Sequence, residues 1–128
     1  MTTTINAVSG NNLQVSADGS GIIQLQSNGK NTNAQAWVNF SGSTVNASYN
    51  VGSITVNGTG DFTVNFSNAF PDANYVISGT TGASSGQLAC LTQPAGSYPP
   101  STTACRVQTI YVNGSFIGPT NVSVAIFR

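Results

Sequence analysis

The chain has 128 residues, only 5% of them are charged, and three basic residues balance three acidic ones to a formal net charge of zero. A neutral chain lacks the basic patch that nucleic acid and anionic membrane surfaces attract, so we expect neither as a partner. The sequence also lacks His and Glu, which excludes a His-based catalytic triad and a Glu general base, and we expect a protein that is not an enzyme.

Residues 1–33 predict a short β-rich arm. Short alternating runs at Leu13–Val15 and Ile22–Leu25 are typical of strands, but their apolar content is too small for a core. The arm must therefore lie on the rest of the chain, on another copy or on a different protein. No apolar run approaches the about 20 residues of a membrane span. Residues Met1–Ile5 lack the basic and apolar regions of a secretory signal, so we expect synthesis in the cytoplasm and no membrane insertion.

Residues 34–128 predict a head domain, because all eleven aromatic residues of the chain fall within them. About 95 residues with this many aromatic side chains suffice for one compact β-domain. We expect six of the aromatic residues to pack in the core or at a contact between copies: Trp37, Phe40, Phe62, Phe66, Tyr75 and Phe127.

Alternation of apolar and polar residues predicts several strands in the head domain, and no window has the spacing of an amphipathic helix. The alternating runs are Trp37–Phe40, Ile54–Val56, Phe62–Phe66, Val107–Val112 and Val122–Phe127. Turn sequences separate the runs, at Asn28-Gly29, Ser41-Gly42-Ser43, Asn57 to Asp61, Ser84-Ser85-Gly86 and Asn113-Gly114. Short strands joined by such turns predict an all-β fold, an antiparallel β-sandwich of jelly-roll-like type that carries the short arm.

The residues that carry reaction chemistry in other proteins are few. Asp61 and Asp72 lie in turn sequences, where an aspartate usually caps its own backbone. With two cysteines, no histidine and no Cys-x-x-Cys spacing, a zinc site is not predicted, and we expect neither a metal nor a cofactor.

Cys90 and Cys105 flank a loop rich in Pro, Ser and Thr. If the flanking runs pair as a hairpin, a disulfide between them is one alternative, favoured where a particle matures outside the cell. The other alternative is two reduced cysteines in the core. At the centre of the loop, Tyr98, Pro99 and Pro100 predict an exposed contact surface for a sugar or a partner protein, or a loop that packs on a neighbouring subunit.

Several stretches resemble a tail-fibre-type domain common in phages of aquatic bacteria. They are Ala36–Phe40 (AWVNF), Val45–Val51, Ile54–Phe66 with the string NGTGDFTVNF, Phe70–Tyr75 and Val122–Arg128, and the segment Leu13–Gly29 resembles the stretch that often leads into this domain. The resemblance implies a protein on the virion exterior that assembles as a homotrimer and has no enzymatic activity. The cysteines around Tyr98 depart from the family pattern.

The chain is shorter than a full fibre with its shaft and attachment domain, which leaves the place in the particle open. We expect a small tail fibre or a fibre-type protein on the tail or baseplate, with a capsid decoration or cement protein on the phage head as one alternative. A carbohydrate-binding module for host adhesion is the other. The expected partners are therefore other copies of the chain, capsid or tail proteins, and a host surface glycan or receptor.

Overall fold

The computed structural model describes residues 21–83 and 88–128, and the strand predicted at Leu13–Val15 and the turn at Ser84–Gly86 lie outside these ranges. Every regular element within the two ranges is a β-strand, and none of their residues belongs to a helix that could cross a membrane. The strands are β1 (Gln26–Ser27), β2 (Lys30–Asn31), β3 (Ala36–Ser41), β4 (Thr44–Tyr49), β5 (Val51–Gly58), β6 (Asp61–Phe66), β7 (Val76–Gly82), β8 (Ala89–Thr92), β9 (Ala104–Tyr111) and β10 (Asn121–Phe127).

Eight of the strands form two four-stranded antiparallel sheets that pack against each other. One sheet has the order β4-β3-β10-β7 and the other has the order β5-β6-β9-β8. The strands β1 and β2 form a separate two-stranded hairpin. The predicted all-β antiparallel sandwich is confirmed, with the eight strands that a jelly roll also has.

The core lies between the two sheets and follows directly from the alternation in the sequence. On β3 the residues Ala36, Val38 and Phe40 are buried, and on β10 Val122, Val124 and Ile126 are buried. The facing sheet contributes Ile54, Phe62, Val64, Cys105 and Val107. The rings of Phe40 and Phe62 meet edge to face across the core, with centroids 5.2 Å apart.

A second aromatic cluster closes one end of the sandwich. Phe66 packs edge to face on Phe70 at 4.8 Å between centroids and on Tyr75 at 5.8 Å. The Tyr75 hydroxyl donates to the backbone oxygens of Ser101 and Ala104 at 2.9 and 3.1 Å, which ties this cluster to the start of β9. Burial of its ring raises the pKa of Tyr75.

Two turns depend on residues that tolerate a positive φ. Asn28 and Gly29 have φ values of 49° and 71°, which is the type I′ geometry that the Asn-Gly sequence predicts for the β1–β2 hairpin. The chain passes from one sheet to the other at Asn50, the single residue between β4 and β5, which has a φ of 53°. Its side chain accepts from the backbone N–H of Asn68 at 2.8 Å and donates to the backbone oxygen of Gln35 at 3.2 Å. The asparagine amide therefore fixes this sheet-to-sheet crossing.

Three of the eight sandwich strands were not predicted from the sequence: β4, β7 and β8. Strand β4 lies at a sheet edge with mostly exposed side chains, and β8 has only four residues. Strand β7 pairs with β10 in unbroken register from Asn121↔Gly82 to Phe127↔Val76, although its sequence VISGTTG contains only two large apolar residues. These strands form because neighbouring strands offer backbone partners, which a single segment of sequence does not show.

The part of the predicted arm that the structure describes contacts the head. Ile22 packs against the core, and the Ile23 N–H donates to the Tyr49 hydroxyl at 2.8 Å. The Asn33 side chain donates to the Ile23 backbone oxygen at 2.8 Å. The proposed boundary between residues 33 and 34 stays a prediction, and these contacts decide where a truncation is best placed.

Candidate contact surfaces

The outer face of the sheet β4-β3-β10-β7 carries exposed apolar side chains beside small polar ones. We call it the tryptophan face. Trp37 lies opposite Ala125 on β10, and Ala125 lies opposite Ser78 on β7. The next row on the same face is Asn39, Ser123 and Thr80. On its other side Trp37 lies opposite Tyr49 on β4, and the indole remains 40% exposed because Ala125 and Ser78 are too small to cover it.

A shallow trough of about 360 Å³ runs over β10 on this face. Its floor is the backbone of the central strands with the small side chain of Ala125, and the Trp37 indole forms one wall. The other lining side chains are Asn39, Ser78, Thr80 and Ser123. Two further exposed apolar residues, Phe127 and Val76, lie opposite each other beyond the tryptophan end of the trough.

Hydrogen bonds between side chains order one side of the trough. The Asn39 amide donates to the Ser123 hydroxyl at 2.8 Å, and the Asn46 amide donates to the Asn39 side-chain oxygen at 2.9 Å. Ser78 and Thr80 on the other side make no side-chain hydrogen bond with any residue in the described ranges, and both are exposed. As far as residues 21–83 and 88–128 are concerned, their hydroxyls are therefore free for an external partner.

The outer face of the sheet β5-β6-β9-β8 is different, because its polar side chains bond to one another. We call it the ladder face. Asp61, the first residue of β6, receives two hydrogen bonds from Arg106, at 2.7 and 2.6 Å, and one from Gln108 at 3.1 Å. Beside them, the Asn57 amide donates to the Thr63 hydroxyl at 3.0 Å. The hydrogen bonds from Arg106 hold the pKa of the Asp61 carboxyl below its usual 3.8.

The predicted contact loop packs on the ladder face. The guanidinium of Arg106 lies 3.6 Å from the centroid of the Tyr98 ring, a cation–π contact that covers one face of the ring. The loop is also fixed internally, because the Tyr98 N–H donates to the Pro94 oxygen at 2.8 Å. Tyr98 remains 47% exposed, Pro99 is exposed, and Pro100 is half-buried. The expected exposure of Tyr98 is confirmed, while its use as a contact stays a prediction.

The disulfide alternative is wrong, because both cysteines are free. The flanking runs do pair as a hairpin, but the register places Cys90 opposite Ile110, five residues along β9 from Cys105. At about 3.3 Å per residue the two Cα atoms are roughly 16 Å apart along the strand, far beyond bridging distance. Cys105 faces the core and Cys90 faces outward. Burial raises the pKa of the Cys105 thiol to about 12. The alternative of two core cysteines therefore holds for Cys105 alone.

The six aromatic residues expected in the core or at a contact between copies divide into three groups. Phe40 and Phe62 are buried in the core, and Phe66 and Tyr75 are partly buried against it. Trp37 and Phe127 do not lie in the core, because they occupy the outward positions of β3 and β10 and are 40% and 39% exposed. For these two, a contact with another copy stays a prediction.

Ion pairs at two places were not predicted from the sequence. Asp72 accepts from the backbone N–H of Asn74 at 2.8 Å, the turn capping that its sequence context predicts, and it also pairs with Arg128. The hydrogen bond from Arg128 lowers the pKa of Asp72 to about 2. The expectation of backbone capping is wrong for Asp61, whose hydrogen bonds come from side chains instead. Its partner Arg106 is 45 residues away, and no local pattern relates the two residues.

Comparisons with known proteins show little similarity to this chain. No family model matches it, and a search of curated proteins found no match. Among solved structures, the chain is similar to the phiAB6 tailspike, crystallised in complex with three-repeated oligosaccharides of Acinetobacter baumannii surface polysaccharide. The TM-score is 0.49 with 13% sequence identity, and the match covers 97% of this chain and 30% of the tailspike chain. At these values the fold assignment rests on the strands and their pairing, and the chain spans less than a third of the tailspike.

Proposed function

We propose that the chain is a non-enzymatic structural protein on the exterior of a bacteriophage virion, of the tail-fibre type, that assembles as a homotrimer. The resemblance of its sequence to a tail-fibre-type domain supports this proposal. The resembling stretches include most of β3, β5, β6 and β10, so they span both sheets of the sandwich. A capsid decoration protein remains the alternative within the same class.

The observation that carries the proposal is that the charged residues of the described ranges pair almost entirely with one another. Five charged residues lie in the described ranges, and four of them form the pairs Asp61–Arg106 and Asp72–Arg128. Within these ranges only Lys30 has no oppositely charged partner, and no three His, Cys, Asp or Glu side chains lie together. Each carboxylate in this part of the chain is paired with an arginine, and a carboxylate paired in this way is poorly suited to act as a general acid or base. Amide and hydroxyl groups dominate the outer faces, and a neutral polar surface suits an assembled particle.

Cryo-electron microscopy of the particle that contains this chain tests the proposed location. Density for the sandwich at the tail or baseplate supports the tail-fibre type. Density repeated over the head lattice contradicts that type and supports a decoration protein. A particle without the chain contradicts both, and a label attached to the exposed residue Lys30 identifies the density independently.

Native mass spectrometry of the full chain tests the homotrimer. Three copies are expected, and a monomer at micromolar concentration contradicts the proposal. A variant that lacks residues 1–20 then shows whether the arm contributes to association. This end point is better than residue 33, because Ile22, Ile23 and Asn33 contact the head and their loss would destabilise it directly. A trimer that persists in this variant limits the arm to docking on another protein.

A further inference from the structure

The tryptophan face presents an aromatic surface that residues 21–83 and 88–128 leave open. The Trp37 indole is 40% exposed beside the trough, with Phe127 and Val76 at the same end. Large apolar side chains in a cluster on a surface usually mark a contact site. Aromatic side chains suit this use because they combine a large contact area with low conformational entropy.

The trough pairs this aromatic wall with hydroxyl and amide groups. Ser78 and Thr80 are exposed, and their hydroxyls have no side-chain partner in the described part of the chain. Asn39 uses one N–H towards Ser123 and its side-chain oxygen towards Asn46, which leaves its second N–H and a lone pair. A flat apolar side chain beside several hydrogen-bond donors and acceptors fits a ligand that has an apolar face and hydroxyl groups around its edge.

The face carries no formal charge. None of the residues that line the trough is charged, and the nearest ion pair by sequence, Asp72–Arg128, is self-neutralised. A neutral site offers no compensation for desolvating a carboxylate, sulfate or phosphate, so it disfavours acidic ligands. It imposes no such cost on an uncharged one.

We propose that the trough beside Trp37 binds neutral oligosaccharides, with one sugar ring stacked on the indole and its hydroxyls bonded to Ser78, Thr80 and Asn39. The trough volume of about 360 Å³ lies at the lower end of the range for ligand pockets, which suits one or two sugar residues at a time. The inference deepens the proposed function and rests on it, since an exposed virion protein of this type would meet the glycans of a host surface.

A second copy of the chain is a less suitable occupant of this face. The three exposed apolar side chains offer roughly 300 Å² of apolar area in total, while a stable interface buries about 800 Å² on each partner, more than half of it apolar. The surface is also concave over β10, so in a homotrimer a different, convex part of the neighbouring copy would have to fill it and supply partners for the hydroxyls of Ser78 and Thr80.

The test uses the full-length chain and the fluorescence of Trp37, which is the only tryptophan in the sequence. The protein is first applied to an array of neutral and acidic oligosaccharides, and the neutral sugars maltotriose, cellotriose and triacetylchitotriose are then titrated in solution. We expect retention of neutral glycans and a shift of the tryptophan emission to shorter wavelength on binding. Isothermal titration calorimetry, which needs no tryptophan, compares the variants: Trp37→Ala should bind at least tenfold more weakly, a loss of about 1.4 kcal/mol, and Trp37→Phe should recover part of the affinity.

Matched variants separate this site from the ladder face. Thr80→Val removes a hydroxyl from the trough with little change in shape or strand preference, and Thr63→Val does the same on the ladder face. Tyr98→Ala removes the other exposed aromatic candidate. We expect weaker binding only for Thr80→Val, with Thr63→Val and Tyr98→Ala equal to the wild type.

Three results would overturn the inference. The first is no neutral glycan bound on the array and no fluorescence change up to about 10 mM of the three titrated sugars, near the weak limit of measurable affinity. The second is binding that survives Trp37→Ala or is lost with Tyr98→Ala. The third is a native mass that falls on Trp37→Ala, which would make the face a contact between copies. Each result is independent of where the chain lies in a particle, so the inference and the proposed function fail separately.

Discussion

The two outer faces of the sandwich are built from similar residues and differ in how those residues are used. On the ladder face, Asp61 accepts three hydrogen bonds from Arg106 and Gln108, and Arg106 in turn covers one side of Tyr98. On the tryptophan face, the indole of Trp37 and the hydroxyls of Ser78 and Thr80 have no such partners in the described ranges.

The difference shows that composition alone does not decide which surface is able to bind a partner. A polar group contributes to recognition when its donors and acceptors are free, because a group already bonded within the protein must first lose that bond. The ladder face therefore contributes chiefly to stability, and the tryptophan face keeps its capacity for an external ligand. The predictions below compare the two faces with each other and with the core between them.

The largest expected contrast lies between the two cysteines of the ladder-face sheet. Cys105 is 2% exposed and Cys90 is exposed. In the native protein we expect one thiol to react with a disulfide reagent at once and the other at least about a thousandfold more slowly, because a buried thiol reacts only when the protein opens. Cys90→Ser should remove the fast phase. Two slow thiols, or none at all before reduction, would contradict the free cysteines and the register of β8 with β9.

A core substitution should affect both faces equally. Phe40 is fully buried and packs edge to face on Phe62, so Phe40→Ala should lower the free energy of unfolding by about 3–5 kcal/mol. Urea unfolding followed by circular dichroism measures the loss. The control is Phe116→Ala, since this ring is 51% exposed and should cost far less. Equal losses in the two variants would show that Phe40 does not hold the sheets together.

Acid should lower the stability of the whole sandwich through its two ion pairs, one on the ladder face and one at the end of β10. The pKa of Asp61 is held below 3.8 by the hydrogen bonds from Arg106, and that of Asp72 is lowered to about 2 by Arg128. Because these folded-state values lie below the unfolded-state value, their stabilisation is present above pH 3.8 and is lost as the pH falls towards 2. Urea midpoints measured between pH 6 and pH 2 should fall over this window and stay nearly flat above it.

The double variant Asp61→Asn with Asp72→Asn is the control for the acid loss. It removes both titrating partners, so its urea midpoint should be lower near neutral pH and should change less on acidification. A decline as steep as in the wild type would attribute the acid sensitivity to other groups.

The strands and the core that follow strict alternation could be predicted from the sequence. The runs in β3, β5, β6, β9 and β10 each place one set of side chains inward, and the Asn28-Gly29 turn has the predicted geometry. Strand β7 could not be predicted, because its sequence is polar and it is held by backbone pairing with β10. The pair Asp61–Arg106 was also beyond reach, since it depends on the register between β6 and β9.

The outward orientation of Trp37 was predictable, although the size of its apolar side chain suggested a position in the core or at a contact between copies. In the string AWVNF, the apolar residues Ala36, Val38 and Phe40 occupy one face, so Trp37 must share the opposite face with Asn39. The distance between the two cysteines could not be predicted in this way. Cys90 and Cys105 lie on either side of the loop between β8 and β9, but the sequence does not show how many residues of each flank belong to the loop. Only the observed pairing of β8 with β9 separates the two thiols.

The smallest expected effect on stability belongs to Trp37→Ala, and it decides what covers the tryptophan face. Because the indole is 40% exposed and borders Ala125 on one side and Tyr49 on the other, its loss should lower the free energy of unfolding by only about 1–2 kcal/mol, through the lost cross-strand contact and weaker strand preference. Circular dichroism in urea measures this, since the variant has no tryptophan fluorescence, and Trp37→Thr restores the strand preference as a control. A loss of several kcal/mol that grows with protein concentration would mean that the indole is buried between copies, because association then stabilises the native state. A small loss that does not depend on concentration leaves the indole open to solvent, as glycan stacking requires.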